Sequence, residues 1–432
     1  MRKKKRFRIS LTFSFLLFIT SLFLYALFAQ KTGKELQTRT QPATVTLVTA
    51  GRMVIENKNI YDHSQLRLSA ESDGARVPAF TGSPFLAILA GAANFAIQDL
   101  QSLVFLLKIT LLPACIIFLS WLLAFRVKYI GSKGSWSGFF LVTGLSVLSV
   151  PLLKPFHAEL VSGQITIFFL LLLSVVMLFL TGKKGEVSAA ILGLVSSANI
   201  VSGLYSVYYL IYGFRRSFFL FTGSFLFFSL LPLLVVDYTI YREYLENVVF
   251  PLAGRMQLPQ MRPQFSTEVN QSLNGILSGL FLQGITGGVI DIRPVVNSPA
   301  LFQIISLLVT NSLFFFTAWI IYKSRPFIEK RNYLRVLAFS LFISLVPLIS
   351  PVAYSADMVI LLIPFSILLN EVVRKKDIVS AIFLAIYVLL NYIEPEFIYD
   401  GLVKIVSLGY LKLIANLVLY RGNLRLVKKY SC

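Results

Sequence analysis

The chain has few charged residues, few cysteines and few histidines. Charged residues make up 14% of its 432 residues, whereas hydrophobic residues make up 56%. A soluble protein of this length needs more polar surface, so the composition excludes a soluble globular domain. The two cysteines, Cys115 and Cys432, and the two histidines, His63 and His157, provide neither a disulfide framework nor the spacing of a metal site. We therefore predict no metal.

Two further features are missing from the sequence. No Gly-x-x-x-x-Gly-Lys-Ser/Thr phosphate loop occurs, so the chain does not hydrolyse nucleotides by itself. No internal repeat is evident either, although many secondary transporters are built from repeated halves. A lipid or small-molecule transporter is therefore the third of our functional hypotheses.

Long apolar runs divide the chain into predicted membrane-spanning helices. A run of about 18 or more apolar residues can cross a bilayer as a helix. We count roughly ten to twelve such runs. They lie at about 9–29, 101–125, 136–153, 164–181, 187–199, 200–214, 217–236, 300–322, 334–350, 357–373, 378–393 and 401–420. The sequence predicts an all-α, polytopic transmembrane bundle that forms one domain over residues 1–432.

Lys and Arg cluster in short connectors on one side of this bundle. The connectors are Arg126–Lys133, Lys183–Lys184, Arg215–Arg216, Lys323–Arg335, Arg374–Lys376 and Arg421–Lys429. Basic residues in short loops stay in the cytoplasm. We therefore expect a multi-pass protein of a bacterial-type cytoplasmic membrane, with both termini in the cytoplasm. The net charge of +20 follows from this topology and from attraction to lipid headgroups, so no nucleic-acid partner is expected.

The first apolar run follows the basic segment Met1–Arg8. At about 20 residues, the run is longer than the core of a secretory signal peptide. Gln30 and Lys31, which follow it, do not form a cleavage site of small residues. We interpret the run as an uncleaved membrane anchor.

Two predicted outer segments, residues 30–100 and 237–299, are too long to be simple connectors. The first contains Pro84–Phe95, which is apolar but too short to span, so we expect it to lie at the interface or to re-enter the membrane. The second begins with Tyr238–Val249, which has the pattern of an amphipathic helix. We expect the short helices of both segments to cover a cavity that is open to lipid.

Several short motifs follow one another along most of the chain. In order, they are Thr49–Arg52, Glu56–Asp62, Phe80–Phe85, Leu160–Gln164, Asn270–Ser272 and Ser350–Pro351. Their order and spacing resemble those of glycosyltransferase family 87, which belongs to the GT-C superfamily. Members of this family are integral-membrane enzymes that use polyprenyl-phosphate sugars, and they include bacterial mannosyltransferases.

This resemblance implies a GT-C-like bundle with its active site at the outer face. It also implies a lipid-linked sugar donor as substrate and no separate cofactor. In such a reaction, a carboxylate takes the proton from the acceptor hydroxyl as that hydroxyl attacks the anomeric carbon. Cations or hydrogen-bond donors hold the leaving lipid phosphate.

The chain departs from the family pattern at three polar positions. The family's Asp in a Pro-Asp-Phe pattern falls at Ala43, and its His after the Ser-Pro motif falls at Ala356. A Lys-x-x-Pro pattern appears as Asn199–Ser202. Alanine has no proton to exchange, so the family's mechanism cannot operate here unchanged.

Two acids are our candidates for a relocated catalytic base. Asp62 ends the Glu56–Asp62 motif, and Asp357 follows the position of the missing His. For each acid, a simple role at a helix end is the alternative interpretation. An acid at the mouth of a span is costly unless it is paired or hydrated, which favours a function for Asp357.

Other polar residues of the motifs are candidate substrate-binding groups. They are Arg52, Gln164, Asn270, Gln271, Ser350 and Tyr354. For Gln164, a hydrogen bond between helices is the alternative, and for Asn270 and Gln271 it is packing of the second loop. The candidate phosphate ligands are the basic residues of the outer segments, namely Arg52, Arg76, Lys154, Arg255, Arg262 and Arg293.

Other charged residues do not belong to a motif. His157 and Glu159, near Lys154, are expected to lie in a solvated outer loop, and an outer polar cluster is the alternative interpretation. Lys412 falls in the middle of a predicted span, where it would pair with an acid or extend to the interface.

Our leading hypothesis is transfer of a mannose-like hexose from a polyprenyl-phosphate donor to a lipid or glycan acceptor at the outer face. The expected partners are this donor, membrane lipids and the glycan or glycolipid acceptor, and the sequence indicates no particular protein partner. The second hypothesis is that the chain has the fold of the family but does not catalyse sugar transfer. In it, the chain is a degenerate homologue that binds lipid-linked sugar or supports a partner enzyme.

Overall fold

The structure, a computed structural model, describes residues 10–36, 41–71, 80–97, 99–127, 135–182, 184–253, 270–282, 295–392 and 411–431. All regular secondary structure in these ranges is helical, which confirms the predicted all-α bundle. Several positions named above lie outside these ranges, namely Met1–Arg8, Lys183, Arg76, Arg255, Arg262, Arg293 and the first half of the span at 401–420.

The first half of the chain, up to Leu230, forms eleven α-helices within the described ranges. They are α1 (Leu11–Leu36), α2 (Pro42–Ile55), α3 (His63–Glu71), α4 (Pro84–Ala96), α5 (Leu100–Trp121), α6 (Trp136–Ser149), α7 (Lys154–Ser162), α8 (Thr166–Thr181), α9 (Gly185–Ala198), α10 (Val207–Tyr212) and α11 (Arg215–Leu230). Short irregular turns extend several of them. These are the π-helix Leu122–Arg126 and the 3-10 helices Val150–Leu152, Ile200–Ser206 and Leu231–Leu234.

The second half of the chain adds eight described α-helices. They are α12 (Tyr238–Tyr244), α13 (Phe250–Ala253), α14 (Leu273–Phe281), α15 (Pro299–Ile328), α16 (Asn332–Ile349), α17 (Leu362–Lys375), α18 (Ile378–Tyr392) and α19 (Leu411–Tyr430). The π-helix Leu245–Val249 joins α12 to α13, and the 3-10 helix Ala356–Leu361 leads into α17. The predicted helix at Tyr238–Val249 is thus present.

Six helical segments of the described chain are long and apolar enough to cross a membrane. They are Leu11–Leu36, Leu100–Arg126, Arg215–Leu234, Pro299–Ile328, Asn332–Ile349 and Ala356–Lys375. A seventh is a bent pair, in which Trp136–Leu152 meets Lys154–Ser162 at an angle of 65°. Six shorter apolar helices account for the other predicted spans within the described ranges and for Pro42–Ile55 and Pro84–Ala96. Several predicted spans are therefore short or broken helices.

Helix α16 is the centre of the bundle. Every residue from Tyr333 to Ile349 is buried, and most of them are apolar. A helix that is apolar on all sides needs neighbours on all sides, and α16 contacts α8, α15, α17 and α19. By contrast, α1, α11 and α15 expose many Phe and Leu side chains. An apolar outer surface of this kind faces lipid rather than water.

Helices α2 and α4 pack closely through glycine. An added Cβ at Gly51 would lie 2.5 Å from the backbone nitrogen of Gly91, so only glycine permits this approach. The segment Pro84–Phe95 is therefore a helix that packs along α2. Together, these two short helices form one wall of the cavity described below.

Helix α19 extends beyond the end of the predicted span, to Tyr430. Residues 401–410 of that span lie outside the described ranges, and Lys412 lies close to the end of α18. The Lys412 ammonium donates hydrogen bonds to the carbonyl oxygens of Leu390 (3.3 Å) and Asn391 (2.8 Å), at the end of α18. A cation is favourable at a helix C-terminus. The predicted connector Arg421–Lys429 is also helical, because its apolar residues pack against the bundle.

Candidate active site

A cavity of about 590 Å³ lies where the segments of the predicted motifs meet. We call it the Asp357 cavity. Residues from α2, the loop before α4, the turn between α7 and α8, the 3-10 helix Ile200–Ser206 and the end of α16 line it. The lining includes the motif positions Ala43, Phe80, Gln164, Asn199, Ser350, Tyr354 and Asp357. The cavity thus brings together positions that are more than 300 residues apart in the sequence.

Asp357 is the only Asp, Glu, Lys, Arg or His among the described residues that line this cavity. One carboxylate oxygen accepts a hydrogen bond of 2.8 Å from the Tyr354 backbone N–H. Thr166, the first residue of α8, lines the same cavity, and α8 packs against the 3-10 helix that carries Asp357. Ala356, at the family's His position, is buried and does not line the cavity. The acid is therefore held one residue beyond the family position, in the first turn of a 3-10 helix.

The turn between α7 and α8 requires Gly163 for two reasons. Its φ of +79° lies in the left-handed region, which favours glycine. An added Cβ would also lie 2.4 Å from the Thr44 hydroxyl oxygen, which donates a hydrogen bond of 2.8 Å to the Gly163 carbonyl. This contact holds the first turn of α2, with Ala43, beside Gln164 at the cavity. The Gly-Gln motif thus positions two cavity walls.

Asn270 and Gln271 hydrogen-bond to the backbone of the loop that precedes Asp357, on the side away from the cavity. The Asn270 amide donates a hydrogen bond of 3.0 Å to the Pro351 carbonyl, and its side-chain oxygen accepts one of 3.0 Å from the Ala353 N–H. The Gln271 N–H donates to the Ala353 carbonyl at 2.6 Å. Neither residue is part of the cavity lining. Their position supports the loop-packing interpretation, whereas substrate contact remains a prediction.

Ser350 and Tyr354, both predicted substrate-binding residues, line the cavity on either side of this support. The Ser350 hydroxyl donates a hydrogen bond of 2.6 Å to the Val352 carbonyl, which closes the turn after α16. Burial raises the pKa of Tyr354, so its phenol remains protonated and can donate a hydrogen bond.

Asp62 and Arg52 lie outside the cavity lining. Asp62 accepts hydrogen bonds from the backbone N–H groups of Ser64 (2.9 Å) and Gln65 (3.3 Å), as a residue that caps a helix does. Hydrogen bonds, above all from the Ser64 hydroxyl, hold the pKa of Asp62 below its ordinary value. Arg52 is exposed on α2. The structure therefore brings Asp357, but not Asp62, to the site where the motifs converge.

Sequence reasoning missed a buried ion pair close to this site. The Lys108 ammonium of α5 lies 3.4 Å from a carboxylate oxygen of Glu159 in α7, and both side chains are fully buried. The prediction that Glu159 lies in a solvated loop is therefore wrong, because the chain after the 65° bend folds back into the bundle. His157 instead contacts the Glu35 carboxylate at 3.1 Å. The only feature of the sequence that indicated this pair was Lys108, a charged residue within an apolar run.

The walls of the cavity are mostly apolar. They include Leu47, Leu86, Phe169, Leu173, Val346 and Ile360. Helix α2 begins with residues that line the cavity and has no side-chain cap, and the first N–H groups of such a helix favour negative charge. The site can therefore hold an apolar chain, an anion near the start of α2 and one carboxylate that accepts a proton.

The apolar helical bundle defines an integral membrane protein, and the predicted motifs converge on the Asp357 cavity within it. The model of glycosyltransferase family 87 matches residues 80–351, which is more than half of the chain. The chain belongs to this glycosyltransferase family. The match contains Gln164, Asn270 and Ser350, whereas Ala43, Asp62 and Asp357 lie outside it. No curated protein matches the chain.

Proposed function

We propose that the protein transfers a hexose, such as mannose, from a polyprenyl-phosphate donor to a lipid or glycan acceptor at the outer face of the membrane. The observation that carries this proposal is the position of Asp357. It is the one carboxylate of the described cavity lining, and it lies among the motif residues of a glycosyltransferase family.

In this proposal, Asp357 is the general base. The acceptor hydroxyl oxygen attacks the anomeric carbon of the donor sugar, and its proton passes to the Asp357 carboxylate. The bond between the anomeric carbon and the phosphate oxygen breaks, and polyprenyl phosphate leaves with the bonding electrons. Backbone N–H groups at the start of α2 stabilise the leaving phosphate.

The apolar walls suit the donor's lipid chain. Prenyl carbons gain about 25 cal/mol per Å² of apolar surface when they leave water, so an apolar groove binds them without specific contacts. Gln164, Asn199 and Tyr354 line the same cavity and can hydrogen-bond the sugar hydroxyls.

The test is transfer of radiolabelled sugar from a panel of polyprenyl-phosphate donors to membrane lipids by the purified protein. Asp357→Asn keeps the side-chain shape but cannot take a proton, so we expect turnover to fall by about 10²- to 10⁴-fold. The matched control is Asp62→Asn, because Asn also caps helices well, and its turnover should stay close to wild type. Equal loss in both variants would contradict the assignment of Asp357.

A second function is favoured by the alanine at position 43, which lines the cavity where the family has an acid. A degenerate homologue would bind the lipid-linked sugar without transferring it. Wild-type protein that retains donor lipid through purification, yet transfers no sugar from any donor of the panel, would favour this function over catalysis.

A further inference from the structure

The two carboxylate oxygens of Glu159, in the buried Lys108–Glu159 pair, have different surroundings. One Glu159 oxygen, Oε1, receives both the Lys108 ammonium (3.4 Å) and the backbone N–H of Ile167 (3.4 Å). The other oxygen, Oε2, is buried without a hydrogen-bond partner among the described residues. Buried carboxylates normally satisfy both oxygens, so an unsatisfied one calls for an explanation.

The Ile167 N–H belongs to the first turn of α8, where helices leave N–H groups unbonded. The residue before this helix is Ile165, which has no side-chain acceptor and makes no cap. Glu159 therefore caps α8 from a neighbouring helix. It holds the turn that carries Thr166, which lines the cavity together with Asp357, on a helix that packs against the 3-10 helix of Asp357.

Lys108 keeps Glu159 in this position. Its ammonium also donates a hydrogen bond of 3.3 Å to the Glu159 backbone carbonyl, so it binds both the side chain and the main chain of the same residue. An isolated carboxylate in the bundle would be strongly unfavourable, and Lys108 compensates its charge. The three helices α5, α7 and α8 thus meet at one carboxylate behind Asp357.

We propose that Glu159, fixed by Lys108, is a positioning residue that holds Thr166 beside Asp357 in the cavity by capping the first turn of α8. This inference rests on the proposed role of Asp357 as the base. Glu159 contacts no substrate in this scheme. Its effect passes through the Ile167 N–H and Thr166.

Two double variants separate positioning from charge. Lys108→Met/Glu159→Leu replaces the pair with apolar side chains, so no charge is left unpaired and the cap is lost. Lys108→Met/Glu159→Gln also removes both charges but keeps a side-chain oxygen that can accept from the Ile167 N–H. We expect the Leu variant to lose kcat by about 10- to 100-fold, with KM changed by less than about 3-fold, and the Gln variant to stay near wild type.

A second measurement does not depend on sugar transfer. Dicyclohexylcarbodiimide modifies protonated carboxyl groups in apolar sites, and mass spectrometry can follow its rate of reaction with Asp357. A hydroxyl beside a carboxylate favours its charged form, so Thr166→Val should speed labelling. The Leu double variant should speed it equally, and adding Thr166→Val to that variant should change nothing more.

The outcomes are distinguishable. Labelling at the wild-type rate in the Leu variant, or loss of kcat as large in the Gln variant as in the Leu variant, would overturn the positioning role. If wild type transfers no sugar, the labelling result still decides the inference while the proposed function fails. If the Leu variant does not fold, Lys108→Met/Glu159→Met takes its place, because methionine also removes the acceptor of the Ile167 N–H and adapts to irregular core space, and the same labelling change is expected.

Discussion

Asp377 holds the end of the bundle that lies opposite the Asp357 cavity. It lies in the turn between α17 and α18, and its carboxylate is only 8% exposed. Both terminal nitrogens of Arg425 donate to it, at 2.8 and 3.1 Å, and so does the Ser380 hydroxyl at 2.9 Å. These hydrogen bonds, above all those from Arg425, hold the pKa of Asp377 well below its ordinary value. One side chain thus ties the α17–α18 turn to the last turns of α19.

Removal of this carboxylate should destabilise the protein. Asp377→Asn loses the paired charge, and we expect a cost of about 1–3 kcal/mol, measured as a lower thermal-unfolding midpoint in detergent. The pKa of Asp377 is lower in the folded than in the unfolded state, where it is about 3.9. The stabilisation is therefore complete above that value and is lost as the pH falls from there toward the folded pKa.

The gap between wild type and Asp377→Asn should be constant from neutral pH to about pH 5 and should shrink below about pH 4. Glu56→Gln is the control, because Glu56 and Lys58 form an exposed pair, and its midpoint should match wild type. A gap that persists unchanged into acid would show that packing rather than charge explains the loss.

At the level of elements, the α2–α4 pair forms a wall of the cavity through close packing of backbone on backbone. At Gly51, an added Cβ would lie 2.5 and 2.8 Å from backbone atoms of Gly91 and 2.9 Å from the Ala87 carbonyl oxygen. Backbone atoms cannot move aside as a flexible side chain can. Any larger residue must therefore separate the two helices.

Gly51→Ala should destabilise the protein by about 1–3 kcal/mol. Because residues of both helices line or border the cavity, it should also raise the KM for the donor. Gly223→Ala in α11 is the matched control, since its Cβ would have no atom within 4 Å. Thermal unfolding and transfer kinetics of both variants test this. A Gly51→Ala protein with wild-type stability would contradict the packing described here.

Most helices could be predicted from the sequence because the membrane imposes a local requirement, namely a long apolar run. The helical segment Pro299–Ile328 and the central helix Asn332–Ile349 follow directly from that rule. The convergence of Gln164, Ser350 and Asp357 was indicated only by the order of the motifs. No local pattern could reveal that Glu159 meets Lys108, because they are 51 residues apart and helix α6 lies between their helices. Likewise, the sequence did not show that Asp62 caps a helix, because that role depends on where α3 begins.

For the whole molecule, the two ends of the bundle carry different charges. The described connectors around Glu329 and Asp377 hold many of the basic residues, whereas the Asp357 cavity has no Lys, Arg or His in its described lining. We expect the basic end to face the cytoplasm and the cavity to face outward.

Cysteine labelling in intact cells tests this orientation. In a Cys432→Ser background, where Cys115 is buried, a membrane-impermeant maleimide should label Glu56→Cys directly. It should label Glu329→Cys only after the membrane is permeabilised. Both positions are exposed in the structure, so access to the reagent is the only difference expected. Immediate labelling of Glu329→Cys would reverse the orientation.

The buried Lys108–Glu159 pair also limits which substitutions can become fixed at these two positions during evolution. A change at either position alone leaves one charge in the interior, at a cost of about 3–5 kcal/mol. A lineage can therefore lose the pair only through two substitutions that become fixed together. Related sequences should consequently carry both charges or neither. Where only one of the two charged residues is present, we expect another side chain to compensate its charge.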